Sequence, residues 1–150
     1  MKKVSKIFVA VLCVCLSIVT LTACSKYNAL LKAFEKEGYK EVTTYDDKDS
    51  EKAKKDIEEK DSAAKLHLLV AENNITHVLI VEFKSTKKMV EYYKDSETVK
   101  GFVKDVKDNE DVQAMYNALV DAGYANGNCL VIPISVLKIN EITNIVKSVK

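Results

Sequence analysis

The sequence predicts a small single-domain α+β protein with about four mainly antiparallel strands. Two apolar runs, 65–71 and 75–83, are rich in β-branched residues and are separated by Glu72-Asn73-Asn74, which indicates a β-hairpin. Before and after the hairpin, apolar residues recur at the spacing i, i+3, i+4, i+7, which is typical of helices with one buried face. Strands and helices are thus mixed along one short chain.

The first elements are a helix and a short strand. Ser25 can cap the helix at its N-terminus, and Gly38, which adopts positive φ easily, can end it. A strand is expected from Tyr39 to Tyr45, with β-branched residues at its middle. The apolar stripe of the helix consists of Tyr27, Leu30, Leu31 and Phe34.

The next segment, 46–61, carries 13 charged side chains in 16 positions, with both signs mixed. Only Ala53 and Ile57 offer an apolar stripe, so the segment is either a solvated helix or a partly disordered loop. Its carboxylates have the spacing of a calcium loop, but Lys52 stands where the turn requires glycine, and we expect no calcium site. These carboxylates are Asp47, Asp49, Glu51 and Glu58.

The second half begins with the hairpin, whose second strand is apolar on both faces at 78–81 and should be central in the sheet. Three helical segments follow, the first capped by Ser85 and the last ending at Gly123. A turn at 124–128 leads to a strand at 129–134, and Pro133 predicts an edge position because proline cannot donate to the ladder. A final helix starts at Ser135 or shortly after it. The apolar stripes of the three helical segments are, in order, Met89, Tyr92 and Tyr93; Val99, Phe102, Val103 and Val106; and Val112, Met115, Tyr116 and Leu119. The stripe of the final helix is Ile139, Ile142, Ile145 and Val146.

The order β-α-β-β-α-β, with extra N- and C-terminal helices, is that of a ferredoxin-like split βαβ sheet. This topology places the first and third strands in the centre and the second and fourth at the edges. A different α+β meander built from the same elements is the alternative.

The two histidines are the first candidates for a metal ligand or a general base. With a turn at Asn73-Asn74, His67 faces Ile80 and His77 faces Val70. The two imidazoles then point to opposite faces of the sheet. With a three-residue turn they could share a face, but they would lie about four strand positions, or roughly 13 Å, apart. In neither case can both bind one ion. We expect each to be a lone sheet histidine.

Motifs of catalysis are missing from the sequence. It contains no G-x-S-x-G elbow, no P-loop, no G-x-G-x-x-G fingerprint and no H-E-x-x-H pair. We therefore expect no catalytic residue, no cofactor and no metal. Cys129 lies in an apolar run, which predicts a buried structural thiol rather than a reactive one.

The N-terminus has the marks of a secretory signal, because three lysines precede residues 7–23, which carry no charge. The run closes with Leu21-Thr22-Ala23-Cys24, which resembles the lipobox of bacterial lipoprotein precursors. The resemblance implies cleavage between Ala23 and Cys24, a diacylglyceryl group on the Cys24 thiol, and a lipid-anchored domain, 24–150, on the extracytoplasmic face of the cell membrane. An uncleaved transmembrane helix and a plain secretory signal are the alternatives.

The balance of charged residues in the segment 24–150 restricts the class of partner that it can bind. The segment holds 20 lysines, 22 acidic residues and no arginine, a balance that argues against nucleic acid. Membrane lipid, bound through Cys24, and an envelope protein are the expected partners. We predict a non-catalytic interaction module on the cell envelope surface. The alternatives are a small-ligand-binding lipoprotein accessory to uptake and an enzyme that uses Cys129.

Overall fold

The structure, a computed structural model, describes residues 26–42, 65–134 and 136–150. The strands within these residues are β1 (Tyr39–Glu41), β2 (Lys65–Ala71), β3 (His77–Glu82), β4 (Ala125–Asn126) and β5 (Cys129–Pro133). The helices are α1 (Tyr27–Lys36), α2 (Thr86–Asp95), α3 (Glu97–Phe102), α4 (Val112–Ala122) and α5 (Ile139–Ser148), and a short 3₁₀ helix (Val136–Lys138) precedes α5.

The five strands form one antiparallel sheet in the order β1-β2-β3-β5-β4. The predicted small α+β domain with a mainly antiparallel sheet is therefore confirmed, with five strands in the described residues where about four were expected. The central position of β3 is also as predicted, and its residues 78–81 are all buried.

Helices cover both faces of the sheet. On one face, α1 and α5 pack against Leu69, Ile80 and Val131. On the other face, α2, α3 and α4 pack against Leu68 and Leu79. Alternate strand residues supply the two cores, because successive side chains of a strand point to opposite faces.

The β2–β3 hairpin has the register that the sequence predicts. His67 pairs with Ile80 and Val70 pairs with His77. Asn74 takes a positive φ of 54° in the turn, as asparagine tolerates. Alternate apolar side chains of the two strands enter the two different cores, so a slip by one residue would exchange side chains between the faces of the sheet.

The strand order differs from the ferredoxin-like arrangement. Among the described strands, the first one, expected in the centre, lies at the edge and pairs with β2, through Tyr39–Ala71 to Glu41–Leu69. β2, expected at an edge, lies between β1 and β3. Lys40 is exposed, and a central strand covered on both faces would bury it. A split βαβ unit exists elsewhere, since β3 and β4 run in the same direction with the antiparallel β5 between them.

The edge position predicted from Pro133 is wrong. β5 lies between β3 and β4, and the residues 124–128, expected to be only a turn, contain the two-residue strand β4. The Val131 N–H donates to Tyr124 O at 2.7 Å on the β4 side. Pro133 faces the same side two residues further on, where β4 no longer reaches, so its missing N–H leaves no ladder bond unmade.

Most of the helix-capping residues predicted from the sequence cap the helices in the structure. The hydroxyl of Ser85 accepts a hydrogen bond from the Lys88 N–H at 3.2 Å, as expected of an N-cap. Gly38 and Gly123 follow α1 and α4 with φ of 83° and 86°. The N-cap position of α1 is held by Lys26, without a side-chain capping bond, whereas the predicted cap Ser25 lies outside the described residues.

The edge strand β1 contacts both α1 and α5 through the side chain of Tyr39. The Tyr39 ring meets Phe34 of α1 edge-on, with ring centroids 5.2 Å apart. Its hydroxyl donates to Oε1 of Glu141 on α5 at 3.2 Å. Burial and then the Glu141 carboxylate raise the pKa of Tyr39 from 10.0 to about 12.

This raised pKa predicts a loss of stability at high pH. The folded protein holds the Tyr39 proton more tightly than the unfolded chain does, so the contribution is complete below pH 10 and is lost as the pH rises through about 12. Raising the pKa of Tyr39 from 10.0 to about 12 corresponds to roughly 3 kcal/mol. We expect Tyr39→Phe to flatten the fall in the free energy of unfolding over this pH range, measured by urea denaturation.

Glu141→Gln is the matched variant, because it keeps the phenol and removes the charge. It should move the ionisation of Tyr39, followed by phenolate absorbance, towards its ordinary pH. Equal pH dependence in Tyr39→Phe and the parent would contradict this prediction.

Candidate functional site

The residues that the sequence marks for lipid attachment, Ala23 and Cys24, lie outside the described residues. So does the charged segment 46–61, together with the carboxylates Asp47, Asp49, Glu51 and Glu58. The described chain begins at Lys26, two positions after Cys24, and the surroundings of Lys26 therefore define the end of the domain next to the predicted anchor.

Lys26 is held against two distant parts of the chain. Its Nζ donates to the backbone oxygen of Lys150 at 3.2 Å. Its side chain lies over Gly127, where an added Cβ would stand 2.6 Å from Lys26 Cγ. Gly127 also has a φ of 58°, so glycine suits this turn both sterically and conformationally. We call this part of the molecule the Lys26 end of the sheet.

Asn126 links the C-terminal end of α5 to the Lys26 end by hydrogen bonds. Its Nδ2 donates to the carbonyl oxygen of Val149 at 2.8 Å and to that of Val146 at 3.3 Å. The last carbonyls of a helix have no partner within the helix, so a side-chain donor here satisfies them. The start of α1, the β4–β5 turn and the end of α5 thus meet at the Lys26 end.

Next to this end, His67 lies between two carboxylates from the neighbouring strands. Its Nδ1 is 2.8 Å from Oε1 of Glu41, and its Nε2 is 3.4 Å from Oε2 of Glu82. The shorter contact is a hydrogen bond in which Nδ1–H donates to Glu41, whereas the longer one is at the limit of hydrogen bonding. The carboxylates approach opposite ring nitrogens, so the three groups do not converge on one point as metal ligands would.

Tyr27 completes this cluster from α1. Its ring stacks on the His67 ring, with centroids 3.5 Å apart and planes 16° apart. Burial, followed by a hydrogen bond to Glu41 and the charge of Glu41, raises the pKa of the Tyr27 phenol above its ordinary value. The phenol is therefore neutral at physiological pH and can donate to the Glu41 carboxylate. The contacts among these four side chains connect the first turn of α1, through Tyr27, to β1, β2 and β3. The strand residues are Glu41, His67 and Glu82.

His77 lies on the opposite face of the sheet, as predicted, and its Nδ1 is 3.0 Å from the carbonyl oxygen of Ile75. His67, by contrast, is not the lone histidine that was expected. The hairpin register already placed Glu82 on the same face as His67, opposite Lys65, and that signal could have been used. Glu41 could not be found in this way, because β1 was expected elsewhere in the sheet.

The lone cysteine of the described residues is buried, which confirms that prediction. Cys129 is 0% exposed, and its Sγ lies 3.9 Å from Oδ1 of Asn128. It pairs with Glu82 across β5 and β3. A thiol without solvent access cannot be reached by a substrate in this conformation.

The other end of the sheet carries exposed apolar side chains. Ile75, in the β2–β3 turn, is 61% exposed, and Leu137, in the 3₁₀ helix after β5, is 74% exposed. The Ile134 N–H donates to His77 O at 3.0 Å, which brings the segments that carry Ile75 and Leu137 to the same end. We call it the Ile75 end.

Two shallow cavities flank α5. One, of about 260 Å³, includes Val120, Asn126 and Val146 in its lining. The other, of about 320 Å³, lies between α1 and α5. Neither cavity has a tyrosine in its lining.

In the described part of the chain, no group of three His, Cys, Asp or Glu side chains is arranged to hold a metal ion. None of the helices described there is long and apolar enough to cross a membrane. No protein-family model, curated protein or solved structure matches this chain. The chain's own residues therefore carry the functional proposal.

Proposed function

We propose that the chain is a membrane-anchored lipoprotein whose domain is a non-catalytic interaction module on the surface of the cell envelope. The N-terminal segment supports the anchor, since an uncharged run ends in Leu21-Thr22-Ala23-Cys24. The Cys24 thiol would carry a diacylglyceryl group, and cleavage before Cys24 would make it the first residue of the anchored domain. An envelope protein is the expected partner of the domain.

The observation that carries the proposal is the opposite placement of the predicted anchor and the exposed apolar residues. Lys26 begins the described chain at one end of the sheet. The ten-residue helix α1 then runs about 15 Å along the sheet, and the Gly38 O that follows it accepts a hydrogen bond from the Glu72 N–H beside the β2–β3 turn. Ile75 and Leu137 lie at that far end.

The short connection strengthens this argument. Only Ser25 separates Cys24 from Lys26, whose side chain is fixed on Gly127 and Lys150. A lipid on Cys24 would hold the Lys26 end close to the bilayer and leave the Ile75 end free. Exposed apolar side chains at a free end are suited to burial against a protein partner.

Site-specific photo-cross-linking in intact cells tests the proposal. A benzophenone amino acid placed at position 75 or 137 of the full chain should give one discrete adduct with an envelope protein. The same probe at Lys87, an exposed position on α2, is the matched control and should give none. Leu137→Lys should lower the yield from position 75 by about tenfold, since burying an unpaired charge in an interface costs more than 1.4 kcal/mol.

Equal adducts from position 87 would count against the Ile75 end as the partner surface. No adduct from position 75 or 137 would contradict the interaction module itself. Metabolites would then be screened against the protein by thermal shift.

A further inference from the structure

We infer that the groove between α1 and α5 is a docking surface for the anionic headgroups of the membrane. The domain then lies on the bilayer with its α1–α5 layer facing the headgroups. The inference rests on the proposed lipid anchor, because the anchor holds the domain within reach of the headgroups. It adds an orientation and a lipid chemistry that the anchor by itself does not specify.

Small side chains open the groove. Ala29 and Ala33 line it from α1, and Ser148 lines it from α5, which leaves a cavity of about 320 Å³ between the two helices. Three lysines also line the groove, and Glu37 is the single acidic residue in the lining. These lysines are Lys32, Lys36 and Lys150.

Within the described residues, no acidic side chain neutralises the charge of these three lysines. By contrast, Lys138 at the other end of α5 pairs with Glu141 at 2.9 Å. All three are exposed. Their ammonium groups are therefore available to phosphate, for which lysine acts as a point charge with rotatable donors.

The two helix layers differ in the sign of their charge. Residues 26–37 and 139–150, which include α1 and α5, contain five lysines and three acidic residues. Residues 86–122, which form the α2–α4 layer, contain six lysines and eight acidic residues. Near an anionic surface, the positive layer is attracted and the negative layer repelled, so both layers favour the same orientation.

The expected strength follows from the lysine count. A lysine near an anionic bilayer contributes about a fivefold gain in affinity, so three contribute about a hundredfold. This attraction falls off within a Debye length of about 10 Å at 0.1 M salt, and it should disappear at about 1 M salt, where that length is about 3 Å. When the α1–α5 layer faces the bilayer, the sheet runs along the membrane surface. The Ile75 end then points sideways and remains accessible to a partner.

Lysine footprinting on vesicles tests the inference. The full chain is expressed, purified from membranes and reconstituted into vesicles of phosphatidylcholine alone or with about one-third phosphatidylglycerol. Amines are acetylated briefly, and the modification of each lysine is measured by mass spectrometry. We expect Lys32, Lys36 and Lys150 to react at least about threefold more slowly on the anionic vesicles, as headgroup contact at this strength requires. Lys104 and Lys107, exposed beyond α3, should react equally on both.

Flotation of the same samples separates the two claims. A protein that floats with both vesicles but shows equal lysine reactivity overturns the docking surface and leaves the anchor intact. A protein that floats with neither overturns both the anchor and the surface. Slower reaction at Lys104 and Lys107 instead would show the reverse orientation and would also overturn the inference.

A charge-reversal pair supplies the matched variants. Lys32→Glu with Lys36→Glu should abolish the protection of Lys150 on anionic vesicles, whereas Lys104→Glu with Lys107→Glu should preserve it. All four positions are exposed, so both variants should keep the circular dichroism spectrum of the parent. Equal protection of Lys150 in the two variants would overturn the groove as the site of contact.

Discussion

Replacing Cys24 with alanine is expected to release the protein from the membrane. The thiol is the proposed attachment point of two acyl chains, and each buried methylene contributes about 0.8 kcal/mol to membrane binding, so the anchor is by far the largest attractive term. The measurement is fractionation of cells that produce the full chain, with quantitative detection in the membrane and soluble fractions. Most of the parent should be found in the membrane fraction, and little of the variant.

Cys15→Ala is the control for this change, since it removes a thiol from the uncharged run upstream of the cleavage position. It should fractionate like the parent. If Cys24→Ala also remains in the membrane fraction, the lipid anchor is wrong, and an uncleaved membrane-spanning segment becomes the explanation.

Gly123→Ala is expected to destabilise the fold more than other single methyl additions. Gly123 ends α4 with a φ of 86°, and a Cβ there would lie 2.6 Å from the carbonyl oxygen of Thr143 in α5. The left-handed conformation costs about 1–2 kcal/mol for an L-residue, and forcing two packed helices apart adds about 1–3 kcal/mol. Urea denaturation should therefore show a loss of about 2–5 kcal/mol in the free energy of unfolding.

Gly101→Ala is the matched control. Gly101 lies within α3, and a Cβ at that position meets no atom within 4 Å. Alanine is favoured over glycine in a helix by about 1 kcal/mol, so this variant should be as stable as the parent or slightly more stable. A similar loss of stability in both variants would contradict the close approach of α4 and α5 as the cause.

The contrast between these glycines shows where sequence patterns stop being informative. Gly123 was recognised as a helix end because it follows an apolar stripe, a local signal. Its second role, as the point where α5 crosses α4, depends on a residue that lies 20 positions further along the chain. Spacing within one helix contains no information about that contact.

The same limit applies to the site near Lys26. The alternation and the asparagine turn of the hairpin predicted its register, and with it the opposite faces of His67 and His77. The carboxylate of Glu41 became a partner of His67 only because β1 pairs with β2. β1 has just three residues in the structure, too few for a pattern of burial to identify its neighbour.

By itself, the sequence determined the α+β class, the hairpin register, the central position of β3, the buried faces of the helices and the burial of Cys129, because each follows from local periodicity and turn chemistry. Only the tertiary structure decided the strand order, the interior position of β5, the cluster around His67 and the separation of charge between the two helix layers. These features arise from pairings between distant segments, and several pairings are compatible with the same order of elements.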